Sequence, residues 1–210
     1  EVLFLCYNLM LAVRLQRMVS KLEPEESEKI TVRSWEELLR EVLAREEIEL
    51  TIPEDREARK TFFTEELPQL VQLVLEEDET PPRYDVLVVD EAQDHDTGGG
   101  ESIDWWPWYF RQLKQGPESP MFLFYDTAQR FSFRGNDGFD PRVLADRLSQ
   151  PALLRLNRCA RCTLPIWEFL SGLNGPGTAS LLADLEPHPQ LPGGPEVVRQ
   201  TVRGEDSLRQ

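Results

Sequence analysis

Nothing in this sequence is long and apolar enough to cross a bilayer, since no run approaches the ~20 residues such a span needs. The apolar stretches are short, and Val2–Cys6 and Val86–Val89 are of strand length. Cysteine is also scarce. Three residues, Cys6, Cys159 and Cys162, make no disulfide framework in a chain of 210, and their odd count points to a reducing, cytoplasmic setting. Cys159-Ala-Arg-Cys162 has the spacing of half a zinc site, but the only histidines are His95 and His188, and no second cysteine pair exists to complete four ligands. The two are therefore expected to be buried thiols. Basic charge is in short supply, with 23 Lys and Arg against 38 Asp and Glu, a net charge of −15. Phosphate affinity comes chiefly from Lys and Arg, so most of this surface repels nucleic acid. That argues against a dedicated DNA-binding domain and leaves room only for a narrow groove built on stacking and backbone contacts. The N-terminus has no initiator Met, no basic region and no small-residue cleavage site, so it does not read as a signal peptide. It begins within a strand-like stretch, and the expectation is a chain cut from a longer protein.

What is present is ordinary for a globular protein: 40% hydrophobic and 29% charged residues. The length falls between one large domain and two small ones. Val2–Tyr7 predicts a buried strand ended by Asn8, followed by a helix carrying Leu9, Leu11, Ala12, Leu15 and Met18. Ile30–Val32 predicts a short strand leading into a helix that Ser34 caps and Glu37 completes as a capping box. Residues 46–61 are charged and read as irregular, and a second helix carries Leu67, Leu70, Val71 and Val74. Val86–Val89 predicts a strand covered on both faces. Gly98–Gly100 predicts a flexible loop, and Trp105, Trp106, Trp108, Tyr109 and Leu113 a helix whose tryptophans fill the core. Met121–Tyr125 predicts a third core strand, Leu153–Leu156 a fourth, and Glu196–Val202 a last one. Strands alternating with helices imply an α/β fold with a parallel sheet.

Asp90 and Glu91 follow directly on an apolar strand, which places them at the C-terminal edge of that sheet, where α/β folds bind ligands. One carboxylate there can hold magnesium through water, and its neighbour can polarise an attacking water. The competing reading of Asp90 is a helix N-cap.

Asp90-Glu91-Ala92-Gln93-Asp94 after four apolar residues resembles motif II of superfamily 1 helicases of the UvrD/Rep type. Phe124-Tyr-Asp126-Thr-Ala-Gln129 resembles motif III of that family, whose Gln senses the γ-phosphate. Leu156-Asn-Arg-Cys-Ala-Arg161-Cys-Thr163-Leu-Pro-Ile166 resembles motif IV, with Cys159 where Asn is usual. This register makes Arg161 the γ-phosphate arginine, acting like an arginine finger, with Arg158 as the alternative. Leu3–Ala12 resembles motif Ia, in which Asn8 would touch the DNA backbone, and Thr31-Val-Arg-Ser34 resembles the following Thr-x-His-Ser element with Arg33 in place of His. Phe133 and Arg134 fall near the family's base-stacking aromatic and arginine, one residue earlier than the family pattern. The resemblance covers most of residues 1–170.

The phosphate loop, Gly-x-x-x-x-Gly-Lys-(Ser/Thr), occurs nowhere in the chain. The implied fold is a RecA-like parallel sheet flanked by helices, of the P-loop NTPase type with that loop missing, over residues 1–148 with a helical insertion at about 35–80. Residues 149–210 would start a second RecA-like domain. The resemblance implies the motor core of an ATP-dependent DNA helicase of the DNA-repair or nuclease-linked kind, with ATP and Mg2+ as cofactors and single-stranded DNA as track. The implied roles are catalytic for Glu91, Gln129 and Arg161, metal-holding for Asp90 with Glu91, and DNA-binding for Asn8, Thr31, Ser34, Phe133 and Arg134. Without the loop, the 210 residues alone are expected to bind ATP poorly and hydrolyse it negligibly. The alternative is a non-catalytic interaction module on a degenerate helicase scaffold.

Overall fold

In the computed structural model, residues 1–77, 80–97, 103–126, 139–159, 162–172 and 186–194 are described. Four parallel strands form the main sheet: β1 (Val2–Cys6), β2 (Ile30–Ser34), β3 (Val86–Val89) and β4 (Met121–Leu123), in the spatial order β2-β1-β3-β4. The register pairs Val2 with Ile30 and with Val86, and Leu87 with Met121, so Cys6, Ser34, Val89 and Leu123 lie at or near one edge.

Alternation along the strands sends side chains to two different cores. Leu3 and Leu5 of β1 and Leu87 and Val89 of β3 are fully buried on one face. They pack with α3 (Trp35–Arg45), α5 (Leu67–Glu77) and α6 (Trp106–Arg111). Cys6 and Val32 point to the opposite face, where Ala12, Leu11 and Leu15 of α1 (Leu9–Val19) cover them. The chain is therefore α/β, a parallel sheet with helices on both faces. Trp105, Trp106 and Trp108 are buried, as their helical clustering predicts.

Local chemistry sets the helix starts. Asn8 Oδ1 accepts the Met10 and Leu11 amides at 2.8 and 3.4 Å, which opens α1. Ser34 Oγ accepts the Glu37 amide at 3.2 Å while Glu37 accepts the Ser34 amide at 2.7 Å, the expected capping box of α3. A short α2 (Pro24–Ser27) precedes β2.

Residues 46–61 are not wholly irregular: Asp55 caps α4 (Arg56–Thr61) by accepting the Glu57 and Ala58 amides. Helical backbone continues from α4 through a wide π turn at Phe62–Glu66 into α5. Pro68 lacks the N–H that an α-helix would use, and the widened turn just before it is where such an interruption is absorbed.

β4 is shorter than predicted and lies less deep in the core: Phe122 is 58% and Phe124 49% exposed. A short α7 (Pro141–Ala145) follows, capped by Asp140.

Residues 1–151 and 152–210 form separate compact units. In the second, β5 (Arg158–Cys159) pairs in parallel with β6 (Glu186–Pro187), and α8 (Leu164–Ser171) lies between them in sequence. Leu153–Leu156 does not form the predicted core strand. The stretch is irregular, and Leu153, Leu154 and Leu156 are 79–87% exposed. Its apolar run resembles a strand, but none of the described sheets takes it up. The predicted strand at residues 196–202 and the loop at Gly98–Gly100 lie outside the described residues. Among those described, no helix is long and apolar enough to cross a membrane.

Candidate functional site

Three parallel strands deliver their ends to one edge of the sheet. β1 ends in Tyr7 and Asn8, β3 in Asp90 and Glu91, and β4 continues through Phe124 into Tyr125 and Asp126. Backbone hydrogen bonds carry the ladder past the strands. The Asp90 amide donates to the Leu5 carbonyl at 3.0 Å, Phe124 to Val89 at 2.9 Å, and Ala92 back to Phe124 at 2.8 Å. The last bond forces the chain after β3 to fold over β4.

Glu91 makes that reversal in the left-handed region, at φ 54° and ψ 47°. A non-glycine residue there is uncommon, and such strain concentrates where a side chain must be aimed. A 3-10 turn at Ala92–Asp94 follows. Gln93, only 6% exposed, spans the site: its Nε2 donates to the Glu91 carboxylate at 2.5 Å and its Oε1 accepts the Asp126 amide at 3.0 Å. One buried amide thus joins the acid after β3 to the chain after β4. In the sequence Gln93 is a motif residue with no role of its own to read. The tie depends on a backbone group 33 positions away.

Beneath this edge lies a polar and aromatic layer. His95 is 1% exposed, its Nδ1 lies 2.6 Å from the Tyr109 hydroxyl, and its carbonyl accepts from Trp106 Nε1 at 3.2 Å. Tyr7 stacks on Trp35 with ring centres 6.0 Å apart and meets His95 edge-on at 5.8 Å. Burial pushes the Tyr109 phenol well above its usual range, with Tyr7 and Asp96 adding to the effect. Burial also raises the Cys6 thiol to about 12, helped by the negative charges of Asp90 and Glu37. Cys6 is therefore an inert neighbour of Asp90 and no nucleophile.

The structure brings Asp90, Glu91 and Asn8 to this edge. Ser34 reaches it too, paired with Cys6, but is 2% exposed with its hydroxyl taken by the capping box. Thr31 pairs with Leu3 near the start of the outer strand β2, toward the opposite end from Asp90, so it does not join them. Gln129, Phe133, Arg134 and Arg161 lie outside the described residues.

Among the described residues no group of three or more His, Cys, Asp or Glu gathers as a metal cage. Magnesium keeps several waters and takes one or two carboxylates plus substrate phosphates, so Asp90 and Glu91 are the residues here that could hold it. A cavity of about 340 Å³ with Arg45, Arg83, Arg111 and Lys114 among its lining residues lies beside the entry to β3, at the opposite end of the strand from Asp90. None of the candidate residues lines it.

No family model, no curated protein and no solved structure matches this chain.

Proposed function

We propose that this chain is part of the motor core of a superfamily 1 ATP-dependent DNA helicase or translocase, its four-stranded sheet being RecA-like. The observation that carries the reading is the Gln93 bridge, which couples Glu91 to the chain leading from Asp126 toward Gln129. An acid that handles water and a segment that senses phosphate need such a mechanical link, and one fixed amide supplies it.

When bound, magnesium-ATP supplies the scissile phosphate and the charge that must be neutralised. Asp90 would hold the ion through water. Glu91 orients the attacking water and takes up its proton, while Gln93 fixes the Glu91 carboxylate in place. Gln129 and Arg161 read the γ-phosphate, as the motif resemblance implies. Single-stranded DNA would contact Asn8 and, as the motif resemblance implies, Phe133 and Arg134. Asn8 Oδ1 is committed to the α1 cap, so its contact with a DNA phosphate uses the side-chain NH2. The setting is the reducing cytoplasm.

The test is the DNA-stimulated ATPase of a polypeptide that joins these residues to a phosphate loop. Glu91→Gln should lower turnover ~10²–10⁴-fold with nucleotide binding retained. Unchanged turnover would overturn the role of Glu91. The 210-residue chain by itself should show no measurable hydrolysis, and robust hydrolysis by it would refute the need for the loop. The −15 net charge and the missing loop favour a second reading, a non-catalytic interaction module on the same scaffold. If ATPase stays absent even with a phosphate loop in place, that second reading stands.

A further inference from the structure

Cys159 and Cys162 take no part in the proposed ATP chemistry. Cys159 ends β5 and Cys162 lies just before α8, so the Cys-x-x-Cys sequence runs from the end of a strand to the start of a helix. Both flanks are anchored. The Cys159 carbonyl accepts the His188 amide at 3.0 Å, which belongs to the β5–β6 pairing. On the helix side, the Thr163 carbonyl accepts the Trp167 amide at 3.0 Å, and the Leu164 amide donates to Pro192 at 3.0 Å. Gly194 packs so closely on Thr163 that a Cβ there would stand 2.9 Å from the threonine side chain.

Between these anchors the two sulfurs approach to 3.2 Å, and both cysteines are half-buried rather than enclosed. Among the described residues no third donor joins them to form a metal site. A thiol pair in contact, reachable from solvent and placed between a strand and a helix, is the arrangement of dithiol redox motifs.

We infer that Cys159 and Cys162 form a reversible dithiol–disulfide site, oxidised by exchange with a small-molecule disulfide of the glutathione type. The Cys159 thiolate attacks one sulfur of the incoming disulfide, forming a mixed disulfide and releasing one thiol. Cys162 then loses its proton to solvent and attacks the Cys159 sulfur, closing the intramolecular bond and releasing the second thiol. One dithiol and one disulfide become one protein disulfide and two thiols. The 3.2 Å contact between the sulfurs keeps the second thiol within reach of the mixed disulfide. Their shared hydrogen bond raises the Cys162 thiol above its ordinary value. Arg161 falls inside the four-residue ring that oxidation closes. Any effect on its reach toward phosphate rests on the proposed helicase reading, whereas the disulfide itself does not.

The experiment incubates the purified chain with glutathione at rising oxidised-to-reduced ratios, then counts thiols after denaturation and maps peptides by mass. The expected result is a fall from the 3 thiols of the sequence to Cys6 alone, with a Cys159–Cys162 link that dithiothreitol reverses. Cys162→Ser should stop at a single glutathione adduct on Cys159. Retention of all thiols in largely oxidised glutathione would overturn the proposal, and so would cross-linking between chains. A parallel arm adds zinc ions to the reduced chain. Stoichiometric zinc that protects both thiols from alkylation would replace the redox site with a metal site. None of these readouts involves ATP or DNA, so failure here and failure of the helicase reading are separable.

Discussion

At Glu91 the backbone is left-handed, a conformation that costs a residue with a Cβ ~1–2 kcal/mol. Truncation there should therefore invert a familiar order. Glu91→Ala and Glu91→Gly both lose the bond to Gln93, but only Ala keeps the strain. The glycine variant should be the more stable of the two by ~1 kcal/mol in chemical denaturation. Gln93→Leu removes the amide and leaves the Asp126 N–H without its present partner, so it should cost ~1–3 kcal/mol by the same assay. Tyr109 provides a pH signature. Its folded-state value is raised, so the stability from keeping the phenol neutral is fully present below its ordinary value of 10.0 and is lost as pH climbs toward the folded value. Tyr109→Phe removes that titration and should flatten the loss of stability on the alkaline side, as read by denaturation midpoints across pH. The motif letters at positions 90–94 were legible in the sequence. The turn that aims Glu91 was not, because a glutamate gives no hint of positive φ as a glycine or asparagine would.

Where an element is specified by neighbours in sequence, the structure follows the prediction. The Ser34–Glu37 capping box is an example, and Ser34→Ala should cost ~1 kcal/mol, measurable as a lower unfolding midpoint. The cores of β1 and β3 were legible for the same reason, since their apolar runs are short and bounded. Where the outcome depends on what lies alongside, the reading fails. Leu153–Leu156 has the composition of a strand, but no described neighbour offers it a ladder. The segment at residues 46–61 looks too charged for structure, but Asp55 suffices to start a helix there. Likewise the π turn at Phe62–Glu66 is a backbone compromise ahead of Pro68 that no periodicity announces.

At the scale of the whole molecule, the chain divides into two compact units, and the stretch after Pro151 exposes leucine after leucine in irregular backbone. Brief chymotrypsin treatment should cut there first and leave the four-stranded unit protected, because irregular exposed chain is the preferred site of nicking. Protection of residues 152–157 equal to that of β3 would contradict this. The order β2-β1-β3-β4 carries a further consequence for how the protein is made. β1 is flanked on both sides, but one partner begins at Ile30 and the other only at Val86. During synthesis β1 emerges before both and can pair with β2 early, while its other edge waits for β3. Through that interval Leu3 and Leu5 stand without their final cover, an apolar edge open to other nascent chains.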